Sequence, residues 1–410
     1  MEKQISEKID GYRDYAIELE TGLTAIPAIS PDAGGQGELD KMLWLETELK
    51  KLKFDEMIRV DCPDPRAKGG VRPNLIARYK GQSSAKTLWI MSHIDVVPPG
   101  EMRLWNGDPY KVRVEGDKIY GRGVEDNQQG LVSGLLAVRG LMDAGVRPPC
   151  DVALLFNADE ETGSKYGAEY VLKARPELFG KDDMFIVPDA GEPSGKLVEV
   201  AEKSMLWLKV RTSGRQCHGS TPNQGNNAFK AASELVFRFG TLYRKFNAKD
   251  KVFEPKISTF EPTKKEANVP NINTIPGDDV FYMDCRVLPT YNLDDIMAGF
   301  RAIADEVEKK HGVKISFETV QREQAAPATS ADSEVVRLLL DGIKKVYGCK
   351  AKPKGIGGGT VAAIFRRAGF PAVVYSRFDE TAHMPNEYCI LPNLLNDAKV
   401  FARVALSMKA

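Results

Sequence analysis

The chain has 410 residues, 42% hydrophobic and 28% charged, a make-up ordinary for a globular protein and too long for one small core. Its 57 Lys and Arg balance its 57 Asp and Glu, which gives no basis for a nucleic-acid partner or an anionic membrane surface. The polar N-terminus, the lack of an apolar run of spanning length and six scattered cysteines without a C-x-x-C pair lead us to expect a cytoplasmic protein.

Amphipathic helices are predicted over 3–24 and 37–53, separated by a Pro/Gly-rich turn at 27–37. Strands follow at 74–79 and 87–91, the second ending in Ser92-His93-Ile94-Asp95. Residues 119–123 lead through Val124-Glu125-Asp126 into a helix from Gln129 to Ala144. An apolar strand at 151–157 ends in Ala158-Asp159-Glu160-Glu161, and a helix is expected over 166–174. A short strand at 184–187 runs into Pro188-Asp189. This alternation predicts an α/β domain with a mostly parallel central sheet.

The pattern then changes. A strand at 205–212, a helix at 227–246, strands near 256–260 and 280–288, a helix at 293–310 and a strand at 314–320 predict a small α+β sandwich. A helix from Ser333 and a strand at 372–376 resume the α/β style. The expected organisation is therefore a discontinuous catalytic domain, 1–203 and 323–410, with an inserted lid or dimerisation domain at 204–322.

Chemistry-bearing groups crowd the predicted strand ends of the first domain, where open α/β sheets gather ligands. A His and an Asp two apart on a strand share a face, so His93 can bind a metal while Asp95 orients the ring. Asp126, Glu161, Asp189 and the late His383 are further ligand-type groups. Two divalent cations would bring four positive charges against three carboxylates, leaving one for a hydroxide. Of the adjacent Glu160 and Glu161, one could bind metal while the other takes a proton from the water and hands it to the leaving nitrogen. Singly, each motif suits a strand end, a helix cap or a turn; the series of strand ends is what argues for a metal site. His311, in a Lys-Lys-His-Gly helix end, is assigned nothing.

Three runs carry a family resemblance: Ser92-His93-Ile94-Asp95-Val96-Val97-Pro98; Trp105 to Gly130, with Gly121-Arg122-Gly123-Val124-Glu125-Asp126-Asn127; and Asp159-Glu160-Glu161-Thr162-Gly163-Ser164. They resemble, in order, the signatures of the di-zinc aminoacylase, succinyl-diaminopimelate desuccinylase, acetylornithine deacetylase and carboxypeptidase G family of metallopeptidases. The resemblance implies two divalent ions, zinc first and cobalt or manganese as alternatives. Asp126 would bridge them, with a cis bond to Asn127. His93 and Asp189 would complete one site, Glu161 and His383 the other. Glu160 would be the base and His218 an oxyanion-stabilising residue, often reached across a dimer. Asn273, Arg286 and the glycine loop with Gly358 and Thr360 would contact substrate.

Two features depart from the pattern. Asn127-Gln128-Gln129 stands where a Lys-containing run is usual. In Pro188-Asp189-Ala190-Gly191-Glu192, either acid could be the third ligand. Asp189, nearer the strand end, is preferred, and it is the choice of dipeptidase-type relatives; deacylase-type relatives often use a Glu in a Gly-Glu-Pro context. The expected function is a zinc-dependent amide hydrolase acting on an N-acyl amino acid. A di- or tripeptidase or carboxypeptidase is the alternative within the family, and a non-catalytic binding homologue is the alternative outside it. A homodimer through the lid is plausible by resemblance alone.

Overall fold

The structure, a computed structural model, describes residues 1–409. Two compact units emerge. One comprises 1–200, 329–353 and the chain from Ile364 on; the other comprises 201–328 and 354–363.

The first unit is built on a mixed sheet whose centre is parallel. Cys150–Asn157, Ser83–His93, Met184–Gly191 and Ala372–Ser376 lie side by side in that order, all running the same way. Glu56–Arg59 and Leu75–Tyr79 extend one side antiparallel, and Leu197–Glu202 pairs antiparallel with Ala372–Ser376 on the other. The apolar run Leu88–Met91 and the whole of Cys150–Asn157 are buried, as strands covered on both faces must be. Their register brings His93 opposite Asn157 and Ser376 opposite Gly191, so four strand ends open onto one edge.

Two long helices pack together on this sheet, Gln129–Asp143 and Leu391–Ser407. The first approaches the strand carrying Asp189 so closely that a Cβ at Gly130 would lie 2.2 Å from the Pro188 carbonyl, which only glycine avoids. The helix expected over 3–24 is two, Glu2–Asp10 and Arg13–Thr24. It breaks at Gly11-Tyr12, where glycine's poor helix propensity coincides with a hydrogen bond from the Tyr12 hydroxyl to Asp143 (2.6 Å).

The second unit holds an antiparallel sheet in the order Thr259–Lys265, Asp278–Val287, Ser204–Ser213, Lys314–Glu323. Helices Ala228–Phe239 and Leu293–His311 pack on it over a core of Leu206, Leu208, Val210, Phe239, Phe281 and Phe300. Alternation is regular along Ser204–Ser213, with even-numbered residues buried and odd-numbered ones partly or fully open. The helix expected over 227–246 stops at Phe239, and a short turn of helix, Leu242–Lys245, follows.

One boundary differs from the sequence reading, which kept everything after 322 with the α/β domain. Residues 354–363 pack with the inserted unit. The Lys203 N–H donates to the Ile356 carbonyl (3.0 Å), Arg286 Nη1 to the Gly357 carbonyl (2.8 Å), and the Thr360 N–H to Glu202 Oε1 (2.9 Å). These partners are far apart in the chain, and no local pattern announces them.

Candidate metal centre

Three strand ends and two loops gather two trios of ligand-type side chains that share one member: His93, Asp126 and Asp189; and Asp126, Glu161 and His383. Within each trio the donor atoms lie within 4.8 Å of one another. His93 Nε2 is 2.9 Å from Asp126 Oδ1 and 3.3 Å from Asp189 Oδ1. His383 Nε2 is 3.2 Å from Asp126 Oδ2 and 3.0 Å from Glu161 Oε2. The two oxygens of Asp126 thus face different histidines, and the Asp126–Asn127 peptide is cis.

The electrostatics are those of a site short of positive charge. Burial raises Asp189 to about 6 and raises Glu161 above the usual carboxylate range. Burial, then the charge of Asp189, pushes Glu160 well above that range. Burial opposes charge on Asp126, but hydrogen bonds with His383 and His93 hold it low. Hydrogen bonds to Asp126 and Glu161 lift His383 to about 10. Burial works against protonation of His93, yet Asp189, Asp126 and Asp95 raise its pKa well above normal. Three carboxylates and two imidazoles that converge in this way are a donor set suited to zinc or a similar ion.

Asp95 braces two elements at once. Its carboxylate lies 3.3 Å from His93 Nδ1, while its own backbone carbonyl is nearer at 3.0 Å. The same carboxylate accepts the N–H groups of Glu160 and Glu161, each at 3.1 Å, and so fixes the turn that carries both glutamates. Asp159 enters that turn at φ 68°, a left-handed conformation that Asp tolerates better than most residues. Its carboxylate accepts the Tyr166 N–H (2.9 Å) and faces the buried Arg72 (3.3 Å). Arg72 is itself held by Glu38 at 2.7 and 2.5 Å.

Several bracing residues escaped the sequence reading. Glu387, fully buried, accepts the N–H groups of Gly123 (2.9 Å), Glu125 (2.9 Å) and Asp126 (3.1 Å) and pairs with Arg122 (2.7 Å). Glu125 accepts the Asp379 N–H (2.8 Å) and both the N–H and hydroxyl of Thr381. Asn127 Nδ2 donates to the Pro188 carbonyl (2.7 Å) and Asp189 Oδ1 (2.6 Å). The only sequence signal for Glu125, Asn127 and Glu387 was adjacency to a ligand motif; Arg72 and Glu38 gave none.

Of the two acids near the end of Met184–Gly191, Asp189 joins a trio. Glu192 turns away and accepts the Ser194 hydroxyl.

The remaining candidates lie in the inserted unit, in two places. His218 and Asn273 are neighbours: Cys217–His218 pairs with Thr274–Ile275, and the Gly219 N–H donates to the Asn273 carbonyl (2.7 Å). His218 is exposed, and its Nδ1 lies 2.8 Å from the Ser220 hydroxyl and 3.2 Å from the Ser220 N–H. Arg286 is gripped in bidentate fashion by Asp284 (2.7 and 3.0 Å) and donates Nη1 to Gly357. Gly358 has open space where a Cβ would stand, and the Thr360 hydroxyl bonds Glu202. His311 pairs with Glu234 (2.7 Å).

Residues 89–407 match peptidase family M20/M25/M40. The chain belongs to this family. It is 39% identical over 414 residues to an uncharacterized metallohydrolase of Methanococcus maripaludis, covering 95% of this chain and 98% of that one. A succinyl-diaminopimelate desuccinylase of Wolbachia pipientis wMel is 25% identical over 380 residues, covering 92% and 89%. Among solved structures, a di-peptidase of Saccharomyces cerevisiae superposes with a TM-score of 0.72 at 16% identity, covering 99% and 98%, a likeness of fold. The protein is thus an M20-family metallohydrolase with an M20 fold, as the three signature runs implied. No helix among the described residues is long and apolar enough to cross a membrane.

Proposed function

We propose that this metallohydrolase cleaves the C–N bond of a small amide or peptide that carries a free carboxylate, using two divalent ions, zinc by preference. The observation that carries this reading is the pair of trios sharing Asp126, with Glu160 next in sequence to a member of one trio. His93, Asp126 and Asp189 would hold one ion, and Asp126, Glu161 and His383 the other. Ions held there supply the charge that makes a water acidic and polarises a carbonyl.

Glu160 is the proton carrier in this reading. Among the described residues no side chain hydrogen-bonds its carboxylate, so both oxygens are open to a water. Its raised proton affinity suits a group that takes a proton and later hands it to the leaving nitrogen. His218 would donate to the developing oxyanion. Arg286 keeps one unengaged N–H on each terminal nitrogen after its bonds to Asp284 and Gly357, enough to receive the substrate carboxylate end-on. Asn273, Gly358 and Thr360 would complete substrate binding.

Two substrate classes fit. The N-acyl amino acid class has the support of the desuccinylase likeness. The short-peptide class has the support of Asp189, which faces His93 while Glu192 faces Ser194, the arrangement implied for dipeptidase-type relatives. We favour the short-peptide class on that ground. Amine release from N-acetyl and N-succinyl amino acids and from a dipeptide panel, using zinc-, cobalt- or manganese-loaded protein, separates them. Full activity of a metal-replete Glu160→Ala protein would overturn the mechanism.

A further inference from the structure

The residues on either side of Asp126 have different partners: Asn127 bonds Asp189, and Glu125 bonds Asp379 and Thr381 in the turn that carries His383. We infer that Glu125 and Asn127 are positioning residues, Glu125 for the Asp126–Glu161–His383 trio and Asn127 for the His93–Asp126–Asp189 trio. This rests on the reading that the two trios hold metal ions.

The turn that presents His383 is intrinsically unfavourable. Glu380 and His383 have φ of 62° and 63°, left-handed values that strain a non-glycine residue. Such a turn persists only when its surroundings fix it. Glu125, 1% exposed, supplies that fixing with one carboxylate that takes the Asp379 N–H, the Thr381 N–H and the Thr381 hydroxyl. Without it, inward-facing N–H groups lose their acceptor and the turn has less reason to keep its shape. Glu387, further along the segment that carries His383, accepts the Glu125 and Asp126 N–H groups, so the two loops are tied to each other at two points.

Asn127 acts on the other side. Both protons of its amide nitrogen are used, one on the Pro188 carbonyl and one on Asp189 Oδ1, the oxygen that faces His93. The Pro188 carbonyl can only accept, so the amide nitrogen must point this way. Asp189 is thereby held at a fixed rotation, and its proton acceptor is shared between Asn127 and the metal position. A ligand oriented by such a partner binds roughly 10–100-fold more tightly than one left free. Here Asn127 departs from what the family pattern led us to expect of this run, and it carries a defined task.

The inference predicts a split. Metal-stripped protein is titrated with zinc alone against a chromophoric chelator, and the two affinities are read separately. Glu125→Ala should weaken one ion about 10–100-fold and leave the other; Asn127→Leu should do the same for the opposite ion. Backgrounds assign them. Glu125→Ala should have no further effect in a His383→Ala protein but should still weaken the remaining ion in a His93→Ala protein; Asn127→Leu should show the reverse. Glu125→Gln, which keeps size and one acceptor, should fall between, and it replaces Glu125→Ala if the latter does not fold. Wild-type protein that binds no zinc overturns the metal reading and this inference with it. Wild-type protein that binds two ions, with variants that bind like it or that weaken both ions equally in both backgrounds, overturns the inference alone.

Discussion

The candidate residues of the two units are held in very different ways. In the α/β unit every ligand-type side chain is braced from behind: His93 by Asp95, the Glu160-Glu161 turn by Asp95 and Arg72, Asp189 by Asn127, the His383 turn by Glu125. In the inserted unit the exposed His218 ring hydrogen-bonds only within its own turn among the described residues, while Arg286 leans on Asp284 and Gly357. One region is a finished constellation built on strand ends; the other offers donors on surface loops and a sheet face. Rigid groups of the first kind suit metal binding and proton transfer, where small misplacements are costly. Donors of the second kind suit contacts made only when substrate arrives.

If that division holds, damage to the first region should abolish chemistry or metal binding, and damage to the second should spare the metal. The largest effect is expected from Glu160→Ala. It removes the proton carrier without removing a ligand, so kcat should fall roughly 10³-fold with zinc content unchanged. A loss of bound zinc in this variant would mean that Glu160 is a ligand and not a base.

His218→Ala comes next. Removal of one oxyanion donor should lower kcat roughly 10²-fold, with metal content and melting temperature as in wild type, because the ring is exposed and no described residue outside its own turn depends on it. If metal affinity dropped along with kcat, the contrast between the two regions would break. Arg286→Lys is expected to be milder still. It should raise KM about tenfold for substrates with a free carboxylate and leave their amides unaffected; an equal change for both would remove Arg286 from substrate binding.

Legibility in the sequence follows the same division. His93, Glu161 and Asp189 were readable because each follows a buried strand of the central sheet, and strand ends in an α/β sheet share an edge; Asp126, after Lys118–Tyr120 of a separate three-stranded sheet, and His383, in a turn, were marked by the family resemblance. The strand at 372–376 and the strand and helix order of the inserted unit were readable for a similar reason, since their hydrophobic periods are clean. The braces were not. Glu38, Arg72 and Glu387 are buried charges whose partners lie far along the chain, and burial of a charge has no local signature. The assignment of 354–363 to the inserted unit failed to show for the same reason, and the helix Leu391–Ser407 was passed over although its apolar face is plain.

The smallest effect tests whether the bracing of the α/β unit extends to its C-terminal helix. Asp397 is fully buried and accepts the Ser376 hydroxyl (2.7 Å), the Arg377 N–H (3.0 Å) and the Tyr347 hydroxyl (2.8 Å), close behind the turn that leads to His383. Burial raises its pKa to about 6, against 3.8 for an unperturbed Asp. An acid with a raised folded pKa binds its proton more tightly in the folded state. Its contribution to stability is therefore greatest below about pH 4, declines as pH rises towards 6, and is constant above that. In metal-stripped protein the melting temperature of wild type minus that of Asp397→Asn should fall by a few degrees between pH 4 and pH 6 and then level off. The subtraction cancels the titration of the other buried acids. A difference that rises over this interval would mean that the three hydrogen bonds outweigh burial and hold the carboxylate ionised, making Asp397 a charged brace of the same kind as Glu125.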